Sequence, residues 1–220
     1  MSIPPDTDPA AQALRDELVA VADRTFRRHG FKSVSMDDLA RAMGRSKKTL
    51  YQAVASKEEL IDLVLDADMC RDDEAVSRIA REAADAVDEM LRIGRYFAEQ
   101  MLDTDPAGLY DLHKYYRPSW ERLDRHHNVE MIGHVRANLR RGQAEGLYRD
   151  DMDRELVALL FVSAPKVMLN PERLDMRARD WDATLRQFLH YHLLGVCSAA
   201  GRERLAAYLR QPRDPDTPSA

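Results

Sequence analysis

The chain has 220 residues, 45% of them hydrophobic, and its 33 Lys and Arg against 38 Asp and Glu leave a net charge of -5. That apolar fraction over that length supports a folded core and one large or two small domains. The two cysteines, Cys70 and Cys197, lie far apart with neither CxxC nor Cys/His spacing, so neither a disulfide framework nor a zinc site is signalled. No apolar run reaches the length of a membrane span, and the opening MSIPPDTDPA is acidic and proline-rich, unlike a signal peptide. The expectation is a cytoplasmic protein with no membrane partner.

Apolar residues recur at helical spacing nearly everywhere and never alternate for long, so the predicted fold class is all-α. Proline-punctuated, polar ends mark residues 1–9 and 212–220 as disordered tails around a body of two domains, 10–60 and 61–211. The first helix is predicted from Ala10 to His29, with Leu14, Leu18, Val21, Ala22 and Phe26 on one stripe and Gly30 as its stop. Ser35 followed by Asp38 reads as a capped start for a short helix from Met36 to Met43. Gly44 turns the chain, and Ser46 caps a third helix, Lys47 to Ala53, whose Leu50 and the following Val54 face inward. Its outer face carries Lys47, Lys48, Thr49, Tyr51 and Gln52. A fourth helix starts at Lys57 behind Ser56 and runs through Leu63, Val64 and Ala67.

One long helix and two short ones, the short pair joined by a tight glycine-containing turn, have the proportions of a helix-turn-helix with the third helix as the reader. Residues 32–57 hold six bases (Lys32, Arg41, Arg45, Lys47, Lys48, Lys57) against two acids (Asp37, Asp38), a local balance of +4 in an acidic chain. The pattern Ala22, Phe26, Gly30, Phe31, Ser35, Met36, Asp38, Leu39, Ala40, Gly44, Ser46, Lys47, Thr49, Leu50, Tyr51, Ser56, Lys57, Glu58 and Leu60 resembles the signature of the TetR family of bacterial regulators. The resemblance covers about residues 14 to 60. It implies an N-terminal three-helix helix-turn-helix fused to a C-terminal helical domain that dimerises and senses a small molecule. Two positions depart from the family: Ala53 stands where relatives carry an aromatic or His that touches DNA, and Val54 where they carry Phe.

In that setting Ser35, Thr49, Tyr51 and Lys57 are the expected phosphate holders, and the resemblance implies the same. Ser46 caps its helix and also lies within reach of phosphate. Lys47, Lys48 and Gln52, with Arg45 just before them, are placed to donate to base edges. The partners expected are double-stranded DNA carrying a palindromic operator, a second copy of the chain, and an unidentified small-molecule effector; no cofactor is called for.

In the second domain Asp73 to Leu102 reads as one long core helix, Asp105-Pro106 opens a short one, and Pro118 opens another that Gly146 ends. Met90, Phe97, Met101, Tyr110, His113, Tyr116, Trp120 and His134 mix apolar bulk with polar tips and are the candidate effector-binding residues. The stretches from Glu155 to Leu169, kinked or broken near Pro165, and from Asp182 to Cys197 are apolar around much of their surface. By resemblance they form a four-helix dimer interface, with Leu156, Leu160, Phe161, Leu185, Phe188, Leu189, His192 and Val196 as candidates. Neither His190-x-His192 nor His126-His127 has metal-ligand spacing, and no HExxH, GxSxG or phosphate loop is present, so no catalytic or metal residue is assigned. The expected function is a repressor released from its operator by the effector; an all-α enzyme, a helical scaffold without DNA binding and an activator of the same fold are the competing readings.

Overall fold

The computed structural model describes residues 9–102, 106–168 and 180–210. Residues 1–8 and 212–220 of the expected tails lie outside them, as do Leu169 and Gln211. Pro9 belongs to helix α1 (Pro9–His29), at the first helical position where its missing N–H costs nothing. Helices α2 (Met36–Ala42) and α3 (Lys47–Ala53) follow, with Met43 as the C-cap of α2. No strand is formed among the described residues, and no described helix is long and apolar enough to cross a membrane.

Leu18, Ala22 and Phe26 of α1 pack on Leu39 and Ala40 of α2, on Leu50 and Val54, and on Leu60, Ile61 and Val64 of α4 (Lys57–Glu82). This core is not closed by the head alone. Leu112, on α6 (Pro106–Tyr115), is fully buried in it, and Tyr116 and Trp120 pack against its rim. Gly44 sits at φ +63°, a left-handed conformation that lets the Arg45 N–H reach back to the Ala40 carbonyl at 2.9 Å and turns the chain sharply into α3.

The head is joined to the body by α4, and the joint is ionic. The Arg27 guanidinium donates to Asp23 at 2.6 Å and to Asp68 at 2.8 Å, while Arg71 also pairs with Asp68. One turn on, the Tyr96 hydroxyl donates to Asp72 at 2.7 Å and ties α4 to α5 (Ala86–Leu102).

The single helix expected from Asp73 to Leu102 is two helices. Helix α4 ends at Glu82 because Ala83 takes an extended ψ of 136°. Asp85 Oδ1 then accepts from the N–H groups of Val87 and Asp88 while Asp88 Oδ2 accepts from Ala84 N–H, a reciprocal cap that starts α5. Arg141 seals the break by donating to the carbonyls of Ala80 and Ala83 and to Glu89. The break is thus capped from both sides, which continuous apolar spacing alone does not reveal.

Helix α7 (Arg117–His126) passes through a π-helical turn, His127–Met131, into α8 (Ile132–Ala144), and Gly146 ends the run at φ +70°. Helices α9 (Arg154–Met168) and α10 (Trp181–Val196) follow, and α9 stays helical through Pro165. A last helix, α11 (Ala199–Arg210), inserts Leu205 into the body core beside Met90, Leu139, Leu193 and Tyr148.

Burial holds the Asp68 carboxyl up at about 6, against the attraction of Arg27 and Arg71. The folded protein therefore keeps a proton that the unfolded chain loses near the ordinary carboxylate value. The resulting stabilisation is full in acid and is lost as pH rises through about 6. Asp68→Asn, which cannot ionise, should gain on the wild type between about pH 4 and about pH 7 by on the order of 1–3 kcal/mol in urea unfolding. A wild-type advantage that grows with pH would contradict the desolvation of this carboxyl.

Candidate nucleic-acid interface

Short helices need their ends satisfied, and both helices of the head motif are capped as their sequences prescribe. Ser35 Oγ accepts from Asp38 N–H at 3.2 Å, and Asp38 Oδ2 accepts from Ser35 N–H at 2.9 Å. Those bonds from Ser35 hold the Asp38 carboxyl below its usual range. Ser46 Oγ accepts from Thr49 N–H at 3.1 Å and lies 2.8 Å from the Thr49 hydroxyl, so the two expected phosphate donors already share one hydrogen bond.

Helix α3 hangs on Leu50, which is fully buried, so the positions around it are presented outward. Lys47, Lys48 and Gln52 are exposed and Tyr51 is 44% exposed, whereas Thr49 is half-buried. Ala53 is only 8% exposed and belongs to the core beside Leu50. Its small side chain therefore leaves no gap in the outer face, contrary to the expectation that this position faces DNA.

Three of the six bases between residues 32 and 57 are committed to ion pairs within the chain. Lys47 Nζ pairs with Asp37 at 2.8 Å, Arg45 with Glu17 at 2.9 Å and Arg41 with Asp38 at 3.3 Å. The side chains of Lys48, Tyr51 and Gln52 form no hydrogen bond or ion pair among the described residues. Lys57 is half-buried at the start of α4, and its Nζ donates to the Lys32 carbonyl at 3.4 Å and lies 5.5 Å from the centre of the Tyr116 ring. The outer edge of α3 thus presents Lys48, Tyr51 and Gln52 to solvent, flanked by Ser35, Ser46 and Lys57.

Residues 18–64, which contain this whole motif, match the family described as bacterial regulatory proteins, tetR family. The chain is 26% identical over 178 residues to the HTH-type transcriptional repressor KstR2 of Mycolicibacterium smegmatis, spanning 70% of this chain and 76% of that one. Its fold is similar to that of a TetR-family transcriptional regulator from Agrobacterium tumefaciens, with a TM-score of 0.71, 18% identity, and coverage of 86% of this chain and 100% of that one. It is also similar to the ketosteroid transcriptional regulator KstR2 of Mycobacterium tuberculosis, with a TM-score of 0.58, 20% identity, and coverage of 84% and 95%. The segment 18–64 thus belongs to the TetR-family helix-turn-helix, and the chain is a DNA-binding transcriptional regulator similar over most of its length to members of that family.

In the body of this regulator the eight effector candidates do not converge on one site. Met90 is core, Tyr116 and Trp120 pack against the head, and Tyr110 and His113 are exposed, with the His113 ring edge-on to Trp120 at 5.3 Å. His134 is half-buried, and the side chain of Met101 lies outside the described residues. Phe97 alone joins a separate apolar cluster, with Val76, Ile79, Ile93, Met131 and Val162. Beside it stand Tyr96 on Asp72, and His126 at 3.3 Å from Asp73. No pattern in the sequence marks the π-helical turn that carries Met131.

The interface candidates also divide. Leu156 and Leu160 are exposed, the latter at 59%; Leu185, Phe161, Phe188 and His192 are half-buried. Phe161 stacks on Phe188 at 5.5 Å and meets His192 at 4.4 Å. Leu189 and Val196 are corrected: both are buried in the chain's own core, because α10 packs so closely on α5 that a Cβ on Gly94 would overlap the Leu189 side chain. The sequence reading missed Leu159, Tyr191 and Leu194, which are exposed on α9 and α10; their spacing from Leu156 and from each other was the available signal. Among the described residues no group of His, Cys, Asp and Glu is placed to hold a metal ion.

Asp37 both neutralises Lys47 and places a carboxylate beside the outer face of α3, where it would repel a phosphate. Asp37→Asn should therefore raise affinity for duplex DNA by about threefold to tenfold at low salt and steepen its salt dependence, read by fluorescence anisotropy. An unchanged slope would mean that Lys47 does not reach the DNA even when released.

Proposed function

We propose that this regulator is a cytoplasmic repressor that grips a palindromic operator as a homodimer and lets go when a small-molecule effector binds its body. The carrying observation is the outward row Lys48, Tyr51 and Gln52 on a helix whose inner face is locked by Leu50, an arrangement suited to entering a major groove. The relative KstR2 of Mycolicibacterium smegmatis is described as a repressor, which favours that sign of regulation. The exposed apolar rows on α9 and α10 support pairing with a second copy, since water-facing Leu160 and Tyr191, at 59% and 77% exposure, gain from being covered.

For the effector we assign the cluster around Phe97, between α4, α5, the π-helical turn and α9, in place of the eight residues read from sequence. Its apolar lining beside the Tyr96–Asp72 and His126–Asp73 pairs suits a largely apolar molecule with one polar end. Selection of bound fragments from genomic DNA, then footprinting, tests the whole reading: two protected half-sites should lie about 34 Å apart, one turn of the duplex.

Within the selected site Gln52→Ala should cost about 1–3 kcal/mol and relax preference at one base pair per half-site, while leaving binding to scrambled DNA nearly unchanged. Lys57→Ala should instead weaken both about equally and flatten the salt dependence. Equal losses for Gln52→Ala on both duplexes would transfer base reading to Lys48. In light scattering the wild type should show about twice the chain mass of 25.2 kDa, and Leu160→Glu combined with Tyr191→Glu should halve it. A double variant that keeps the full mass would place the interface elsewhere.

A further inference from the structure

Three ammonium groups follow one another along a rim that leaves the helix-turn-helix and climbs onto the body. Lys57 Nζ donates to the carbonyl of Lys32. Lys32 Nζ stands 4.0 Å from the centre of the Tyr115 ring. Lys114 Nζ lies 5.4 Å from the same ring and 3.2 Å from the hydroxyl oxygen of Tyr110. The last turn of α6 is fixed in this place from below, by Leu112 in the head core, by Lys32 N–H donating to Asp111 Oδ2 at 3.2 Å and by the Tyr116 hydroxyl donating to the Phe31 carbonyl at 3.4 Å.

The chemistry of this rim differs from that of the reader. Arg41, Arg45 and Lys47 each face a carboxylate, but Lys32, Lys57 and Lys114 form no ion pair among the described residues and rest on aromatic faces. A ring orients an ammonium without cancelling its charge, so the donors stay available to an anion. Asp111 is the acid closest to this group in the bonding pattern, and the Lys32 backbone already occupies one of its oxygens. The excess of positive charge is felt by the Tyr115 phenol, which Lys32 chiefly and Lys114 pull below its ordinary range.

Resting on the DNA-binding reading above, we propose that α6 extends the DNA interface: Lys114, with Lys32 beside it on the Tyr115 ring, holds a backbone phosphate on the stretch of duplex that flanks the recognition helix. Lysine and tyrosine are phosphate donors, the rim is continuous with Lys57, and such a contact adds affinity without reading bases. The body thereby touches the DNA directly.

The test uses the full chain on a random-sequence duplex of about 40 base pairs, with affinity measured from about 50 to about 300 mM salt. Lys114→Gln should lower the slope of log affinity against log salt by about 0.9 per bound protomer, and Lys114→Arg should restore it. Circular dichroism and the melting temperature should stay unchanged, because Lys114 is exposed. On a duplex trimmed to the footprint of the head alone, wild type and Lys114→Gln should coincide. Equal slopes on the long duplex, with Lys57→Ala still flattening its own, would overturn the α6 contact and leave the DNA-binding reading standing. A wild type that binds neither duplex would overturn both.

Discussion

The burial of Leu112 is the constraint on which the rest of the molecule depends. Helices α1 to α4 enclose most of a core but leave one side open, and a leucine from α6 fills it. Close-packed interiors move as units, so the head is aimed by its seat on α6 and α7 and not by a linker. Polar bonds reinforce the seat: Arg122 donates to the Asp62 carbonyl at 2.6 Å and to Asp66 at 3.1 Å, and Ser119 donates to Asp62 at 2.6 Å. A shift of α6 or α7 is therefore passed to α4 and to the head core packed on it, which is the physical requirement for coupling between head and body.

Charge in the head is organised by the same economy. Exposed ion pairs contribute between nothing and about 1 kcal/mol, so the pairs of Lys47 with Asp37 and Arg45 with Glu17 hold these side chains without locking them. A phosphate or base edge offering a charge-assisted bond can take either over. Lys48, Tyr51 and Gln52 need no such exchange. The aromatic-backed lysines on the α6 side form a third class, oriented but not neutralised. These differences are invisible in a net charge.

The body shows how a buried polar network fixes a helical break. Arg141 closes the end of α4, Glu145 Oε2 accepts from Ala86 N–H at the start of α5, and Tyr148 and Asn138 both donate to the Ala86 carbonyl at 2.9 Å. With its hydrogen bonds made, this network costs little to bury and specifies one arrangement of α4, α5 and α8. Elsewhere in the body Phe161, Phe188 and His192 stack on one another, and burial lowers the His192 imidazole to about 4. It is neutral near pH 7, consistent with a packing role.

Much of the head was decided locally, and the sequence by itself determined it. Ser35 with Asp38, Gly44, and Ser46 with Thr49 set helix ends through bonds within four or five residues, so the spans of α1 to α3 and the outward face of α3 follow from the chain alone. The break between α4 and α5 was also written locally, in Asp85 and Asp88, but continuous apolar spacing across it concealed the cap. Only the tertiary structure decided which apolar residues meet. Met90, Phe97, Tyr116 and Trp120 share helical spacing, yet they pack in three different clusters, and Leu189 and Leu194 lie on one helix with opposite fates. Spacing fixes the face a residue occupies on its helix, whereas the neighbour that covers that face comes from residues tens of positions away, and no local pattern encodes it.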